Sequence, residues 1–144
     1  MFRVYALSIA LALSFLSAVA DRFGLWGAPG VAGVAWGNYA NFLLYTKHLN
    51  AWAPEFLISI LGAVATALEV ALALCLLIGF KRRYAALASG GLLSLFAISM
   101  IFADGLKGPF DYGVFSAAAG AFLLAGILKE EDTLKSQSSY NHEK

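Results

Sequence analysis

The sequence predicts an all-α integral membrane protein, a bundle of four transmembrane helices with both termini in the cytoplasm. Of its 144 residues, 60% are hydrophobic and only 13% are charged, whereas soluble domains average about 45–50% apolar and about 25% charged residues. Four segments approach the roughly 20 apolar residues that a helix needs to cross the hydrocarbon core. These segments are rich in Ala and Leu and lack a two-residue alternation, so we expect helices rather than the strands of a membrane barrel.

The predicted spans cover residues 2–20, 56–80, 84–103 and 112–128, within one membrane domain that ends at residue 128. The first span also has the pattern of a secretory signal peptide, because a small-residue cleavage site closes its apolar stretch. Its apolar run is longer than that of most signal peptides, so we expect the helix to be retained. Cleavage would leave the orientation of the other three spans unchanged.

Small residues recur at four-residue spacing on three of the spans. Helices in lipid associate through close backbone approach, so these stripes predict tight packing of the bundle. The stripes are Ala6, Ala10, Ser14 and Ala18 on the first span, Ala63, Ala67 and Ala71 on the second, and Gly113, Ala117, Ala121 and Ala125 on the fourth.

The basic turn Lys81-Arg82-Arg83 joins the second and third spans and sets the orientation. Basic residues concentrate in cytoplasmic loops, so this turn and both termini are predicted to lie in the cytoplasm. The four-span topology then places seven basic residues inside and three outside: Arg3, Lys81, Arg82, Arg83, Lys129, Lys135 and Lys144 against Arg22, Lys47 and Lys107. The polar tail, residues 129–144, is predicted to be cytoplasmic and disordered.

The outer loop, residues 21–53, is the longest connection and is rich in glycine and aromatic residues. Trp26, Trp36 and Trp52 are expected to anchor it at the membrane–water boundary, where amphipathic rings concentrate. The aromatic residues that begin at Trp36 and run up to His48 predict a short interfacial helix. A lid over a ligand is the alternative interpretation of this loop.

Glu69 is the principal candidate for function, because it lies near the middle of the second span. It is about 22 Å along the helix from Pro54 at 1.5 Å per residue. A charge at that depth costs at least about 2.5–3.5 kcal/mol, and no second charge is predicted inside a span. Glu69 is therefore either a neutral acid that ties helices together through a serine (Ser14, Ser94 or Ser99), or a proton-relay group or partner for a polar head group such as a quinone carbonyl.

Five further charged residues are candidates for a polar outer mouth: Asp104, Lys107, Asp111, Asp21 and Arg22. Asp111 is also predicted to cap the fourth span, because an acid satisfies the free N–H groups at the positive end of a helix. Asp21 and Arg22 are predicted to form a pair at the boundary of the first span.

Several classes of function have no support in the sequence. Cys75 is the only cysteine, so a disulfide or a dithiol reaction within the chain is excluded. His48 and His142 lie on opposite sides of the predicted topology, so we expect no metal site. The net charge of +1 and the absence of a basic patch interleaved with aromatic residues argue against nucleic acid as a partner. No set of residues suggests a catalytic triad or a carboxylate pair.

With these residues in place, the chain resembles the DoxX family of small membrane proteins. The resemblance rests on residues 61–90, where a mid-helix Glu, a Leu-rich stretch, a Gly, a basic turn and an Ala-rich helix follow in the family's order. Residues 105–115 and 45–50 also look like those of DoxX-like proteins. The first span departs from the family, which often ends it with Gly-x-x-Lys, where this chain has Val19-Ala20-Asp21-Arg22.

The resemblance implies a four-helix bundle in the bacterial inner membrane and an accessory role beside a quinone-linked oxidoreductase. Such a subunit would hold no cofactor in its own chain but could share a quinone with a partner. The partner would be an oxidoreductase subunit or a second copy of the chain. Two other functions stay open from the residues. One is a small carrier or channel for a proton or a lipid-like solute, and the other is a structural or assembly protein without chemistry.

Overall fold

The computed structural model describes residues 1–142, and among them it contains helices and no strand. This confirms the predicted all-α class. The six helices are α1 Phe2–Arg22, α2 Tyr39–Leu49, α3 Glu55–Ile78, α4 Arg82–Asp104, α5 Lys107–Asp111 and α6 Val114–His142.

Three of these helices, α1, α3 and α4, are long and apolar enough to cross a membrane. They correspond to the first three predicted spans. The fourth predicted span falls in the first half of α6, whose apolar part reaches only from Val114 to Leu128 before Lys129. At 1.5 Å per residue that part is about 22 Å long, which is short for a hydrocarbon core of about 30 Å.

The polar segment that begins at residue 129 was predicted to be disordered as far as residue 144, and its residues 143 and 144 lie outside the described residues. α6 continues through it as a helix to His142, and the Thr133 hydroxyl donates to the Lys129 carbonyl at 3.0 Å. The sequence contains a local reason for this continuation, because Glu131 and Lys135 have the i,i+4 spacing of opposite charges that stabilises a solvated helix.

The core forms where α1 packs on α3 and α4 packs on α6. Its central side chains are buried and come from these four helices: Ala12, Phe15, Leu76, Ala86 and Leu124. α4 and α6 approach closely at Gly90, since a Cβ there would lie 2.7 Å from a ring carbon of Phe122.

Only one of the three predicted small-residue stripes lies inside the bundle. Ala121 and Ala125 of α6 are buried, whereas the stripes on α1 and α3 are exposed at Ala6, Ala10, Ser14, Ala63, Ala67 and Ala71. The prediction was wrong for those two helices, because α1 turns the face of Val4, Ser8, Leu11 and Phe15 inward instead.

The segment between α1 and α3 contains the predicted short helix, α2. Asn38 caps it by accepting a hydrogen bond from the Asn41 N–H at 2.8 Å. α2 lies against the first half of α3 at Gly62, where a Cβ would meet Leu43 at 2.5 Å.

The loop that precedes α2 depends on Gly37. Its φ is +68°, a left-handed conformation that costs residues with a side chain about 1–2 kcal/mol. A Cβ on Gly37 would in addition lie 2.5 Å from the backbone nitrogen of Pro29. Gly33 has a similar φ of +83°, but its Cβ position meets nothing within 4 Å.

We expect Gly37→Ala to lower the free energy of unfolding by about 1–3 kcal/mol more than Gly33→Ala, because only the first substitution overpacks the loop. Unfolding of the purified protein in mixed micelles measures both variants. Both replacements carry the cost of a left-handed backbone, so equal losses of unfolding free energy in the two variants would contradict the close packing of Gly37 on Pro29.

Candidate functional site

A buried ion pair joins the end of α1 to the middle of α3. Arg22, the last residue of α1, places a terminal guanidinium nitrogen 2.7 Å from Glu69 Oε1, and the two side chains are 3% and 1% exposed. Isolated charges at that burial would cost several kcal/mol each, so the pair is held by mutual neutralisation and by further contacts of the guanidinium.

Three neighbours fix the position of the Arg22 side chain. Its second terminal nitrogen donates to the Thr66 hydroxyl at 2.8 Å, and this hydroxyl donates in turn to the Gly62 carbonyl at 2.8 Å. The guanidinium carbon lies 3.9 Å from the centroid of the Phe42 ring and 5.4 Å from that of Trp36. Such cation–π contacts contribute about 0.5–2 kcal/mol each, more when water is excluded.

This arrangement corrects two expectations about Glu69. The sequence suggested no second buried charge, but Arg22 is buried beside it. Two of the three serines proposed as its partners bind elsewhere, since the Ser14 and Ser94 hydroxyls donate to the carbonyls of Ala10 and Gly90 in their own helices. The hydrogen bond of the Glu69 carboxylate goes to Arg22 instead of Ser99.

Asp21 is buried as well, and it does not form the predicted boundary pair with Arg22. Its carboxylate accepts hydrogen bonds from the backbone N–H groups of Ala35 at 2.7 Å and of Gly37 at 2.9 Å, with Trp36 N–H at 3.4 Å. Two consecutive residues therefore have separate tasks: Arg22 binds α3, and Asp21 holds the loop that brings Trp36 over Arg22.

Two polar atoms of the ion pair have no partner. Within the described part of the chain, Arg22 Nε and Glu69 Oε2 are buried and make no hydrogen bond. One is a donor and the other an acceptor. Buried polar groups are usually satisfied, so the ion pair retains one unused donor and one unused acceptor.

An open apolar groove of about 660 Å³ lies beside the ion pair, between α1, α2 and α3. Val19, Phe23 and Tyr39 form one wall, and the exposed stripe of α3 forms the other. Thr66 also lines the groove, so a residue of the groove wall accepts a hydrogen bond from the buried guanidinium.

The proposed outer-mouth residues form separate contacts rather than one cluster. Asp104, at the end of α4, lies 2.6 Å from His48 Nε2 and accepts a hydrogen bond from the Tyr45 hydroxyl at 3.3 Å, which fastens α2 to α4. Lys107 and Asp111 form an exposed ion pair within α5. Asp111 is not the cap of α6, because α6 begins three residues later at Val114.

Burial, followed by the charge of Asp104 and its hydrogen bond, raises the pKa of Tyr45 to about 12. The phenol therefore keeps its proton at physiological pH and acts as a donor to Asp104. The hydrogen bond from Tyr45 to Asp104 therefore connects α2 to α4 and gives no indication of an acid–base role.

The three tryptophans have different surroundings. Trp36 is half-buried and packs edge-on against Phe42, with ring centroids 5.3 Å apart. Trp26 is exposed and donates to the Ser17 carbonyl at 3.1 Å, and Trp52 is exposed. Anchoring at the membrane boundary stays a prediction for all three.

Sequence reasoning missed the contacts of Arg22 with Thr66, Phe42 and Trp36. One signal was present, because Thr66 and Glu69 are three residues apart and share a face of α3.

In the part of the chain that the structure describes, the fold and the site define a helical protein with three helices of membrane-spanning length and a buried Arg–Glu pair between two of them. No group of three or more His, Cys, Asp or Glu residues within the described residues could hold a metal ion. Comparison of the chain with protein families, with curated proteins and with solved structures gives no match. The resemblance to the DoxX family therefore stays a prediction.

We expect Arg22→Met and Glu69→Met to cost roughly 3–5 kcal/mol each, since each leaves one buried charge without its partner. The double variant should recover a large part of that loss, because two apolar side chains replace the pair. Unfolding in mixed micelles gives the coupling energy. If the two losses add within about 0.5 kcal/mol, the side chains do not act as a pair.

We expect Asp21→Asn to weaken the bonds that hold residues 35–37 and to raise hydrogen exchange at Ala35 and Gly37 by about tenfold, because a neutral acceptor loses the charge-assisted part of each bond. Exchange measured by mass spectrometry tests this. Asp111→Asn, which removes an exposed carboxylate, is the control and should leave these amides unchanged. Unchanged exchange in Asp21→Asn would contradict the role of this carboxylate.

Proposed function

We propose that this protein is an accessory membrane subunit of a quinone-linked oxidoreductase system. In this proposal the apolar part of α6 completes a four-span bundle in the bacterial inner membrane, with both termini in the cytoplasm. The observation that carries the proposal is the apolar groove that reaches a buried ion pair through one hydroxyl, Thr66.

The groove has the chemistry that a lipid-soluble carbonyl compound requires. Its walls are apolar along α1 and α3, as for an isoprenoid or acyl chain, and its polar groups, Tyr39 and Thr66, are few. Binding sites for small apolar molecules have this composition, in which a small number of polar groups orient the ligand. We therefore propose that a quinone head group lies at the Thr66 end.

Behind Thr66, Glu69 is the group that could exchange a proton with the bound quinone. Reduction of a quinone to a quinol takes two electrons and two protons. The two electrons and one of the protons would come from a partner enzyme, and Glu69, with its unpartnered Oε2, would pass on the other proton. Intramembrane acids commonly serve as proton relays.

A carrier for a proton or a lipid-like solute is supported less well. Such a carrier must expose its binding acid to each side in turn, whereas Glu69 is 1% exposed and is paired with Arg22. A purely structural role would explain the ion pair but not the groove beside it.

The test is purification of the tagged protein from its native membranes in mild detergent, with mass spectrometry of co-purifying chains and extraction of bound quinone. We expect a stoichiometric oxidoreductase chain together with quinone. We also expect Ala67→Leu, which fills the groove with about three extra carbons, to lower the bound quinone roughly tenfold, since overfilled sites exclude their ligand.

Ala10→Leu, at an exposed position of α1 outside the groove, is the matched control and should retain the quinone. Recovery of the protein without quinone and without a partner chain would overturn the proposal. If quinone binds but Glu69→Gln has full activity in the complex, the relay role of Glu69 is wrong.

A further inference from the structure

The opposite end of the molecule carries a second cavity, remote in sequence from the ion pair. Its volume is about 340 Å³, and it lies between the start of α1, the turn between α3 and α4, and the polar half of α6. Val4 and Leu128 contribute apolar surface, while the charged side chains come from the turn and from α6. A cavity of this composition suits an amphipathic ligand.

The charges around this cavity favour an anion. Four basic side chains, Lys81, Arg82, Arg83 and Lys135, line it against two acids, Glu131 and Asp132. The three basic residues of the turn are consecutive, and their backbone is set by two left-handed residues, Gly79 with φ +84° and Lys81 with φ +43°.

Arg82 is the best-placed of these residues to bind a phosphate. Its Nε donates to the Leu76 carbonyl at 3.1 Å, and its guanidinium carbon lies 4.9 Å from the centroid of the Tyr5 ring. These two contacts fix the plane of the guanidinium. Its two terminal nitrogens have no acceptor among the described residues, although they belong to the group that matches a phosphate with two parallel hydrogen bonds.

We propose that this cavity binds the phosphate head group of an anionic phospholipid, with Arg82 as its principal ligand. The position of the cavity supports a lipid source. It adjoins the ends of α1, α3 and α4, the three helices of membrane-spanning length, so it lies where the head groups of one leaflet would meet the protein. Basic pockets between membrane helices bind anionic head groups in this way.

The test uses the full-length protein in detergent with an equal mixture of phosphatidylglycerol and phosphatidylcholine, and counts retained lipids by native mass spectrometry. We expect preferential retention of phosphatidylglycerol, lowered about tenfold by Arg82→Gln. Arg82→Lys should bind at an intermediate level, because it keeps the charge and loses the planar pair of donors. Arg3→Gln removes the same charge outside the cavity and should change retention less than about twofold.

A fourth variant keeps the test valid if Arg82→Gln fails to fold. Asp132→Asn removes an exposed carboxylate that faces the anion, so it should raise retention of phosphatidylglycerol by several-fold, which structural damage would not do. Three results would overturn the proposal: equal retention of the two lipids, equal effects of Arg82→Gln and Arg3→Gln, or no gain in Asp132→Asn. Displacement of the lipid by excess inorganic phosphate would also overturn it and would identify a site for small anions.

Discussion

The ion pair between Arg22 and Glu69 sets the arrangement of the half of this protein that contains the end of α1, α2 and the first turns of α3. Arg22 ends α1, whereas Glu69 lies about 21 Å along α3 from Glu55 at 1.5 Å per residue. A bond of 2.7 Å between them therefore fixes how far α1 lies along α3. The first turns of α3 extend past the end of α1, and their exposed length must be covered by another part of the chain. α2 provides this cover and packs against α3 at Gly62.

The same pair explains why the loop before α2 is so closely constrained. A buried guanidinium needs a counter-charge and further close contacts to offset the loss of its hydration. Phe42 and Trp36 lie over the guanidinium, and Asp21 holds the backbone that carries Trp36. The His48–Asp104 contact then ties the far end of α2 to α4. The positions of the loop before α2 and of α2 itself therefore depend on two adjacent residues at the end of α1, Asp21 and Arg22.

The helices were predictable because their signal is local, whereas the site depends on distant contacts. Apolar runs identified α1, α3 and α4, and the aromatic run identified α2. The partner of Glu69 lies 47 positions away in the sequence, and a hydropathy profile places Arg22 outside the apolar span that ends at residue 20. The contact exists only because helix α1 continues through both polar residues. The small-residue stripes of α1 and α3 did not predict the buried faces of these helices for a related reason. An Ala-rich helix has small residues on several faces, and contacts with neighbouring helices determine which of these faces is buried.

Arg22 and Arg82 show how one side chain can have opposite roles at the two ends of a helical protein. Each guanidinium lies against an aromatic ring and is fixed by a hydrogen bond. Arg22 is 3% exposed and finds its counter-charge inside the chain, in Glu69. Arg82 is half-buried, and its hydrogen bond goes to a neutral carbonyl, with no carboxylate within ion-pair distance in the described residues. An arginine that is fixed in position without a carboxylate from its own chain attracts an anion from its surroundings. The two ends of the protein therefore differ in the source of the counter-charge: Glu69 supplies it for Arg22, and an external anion supplies it for Arg82.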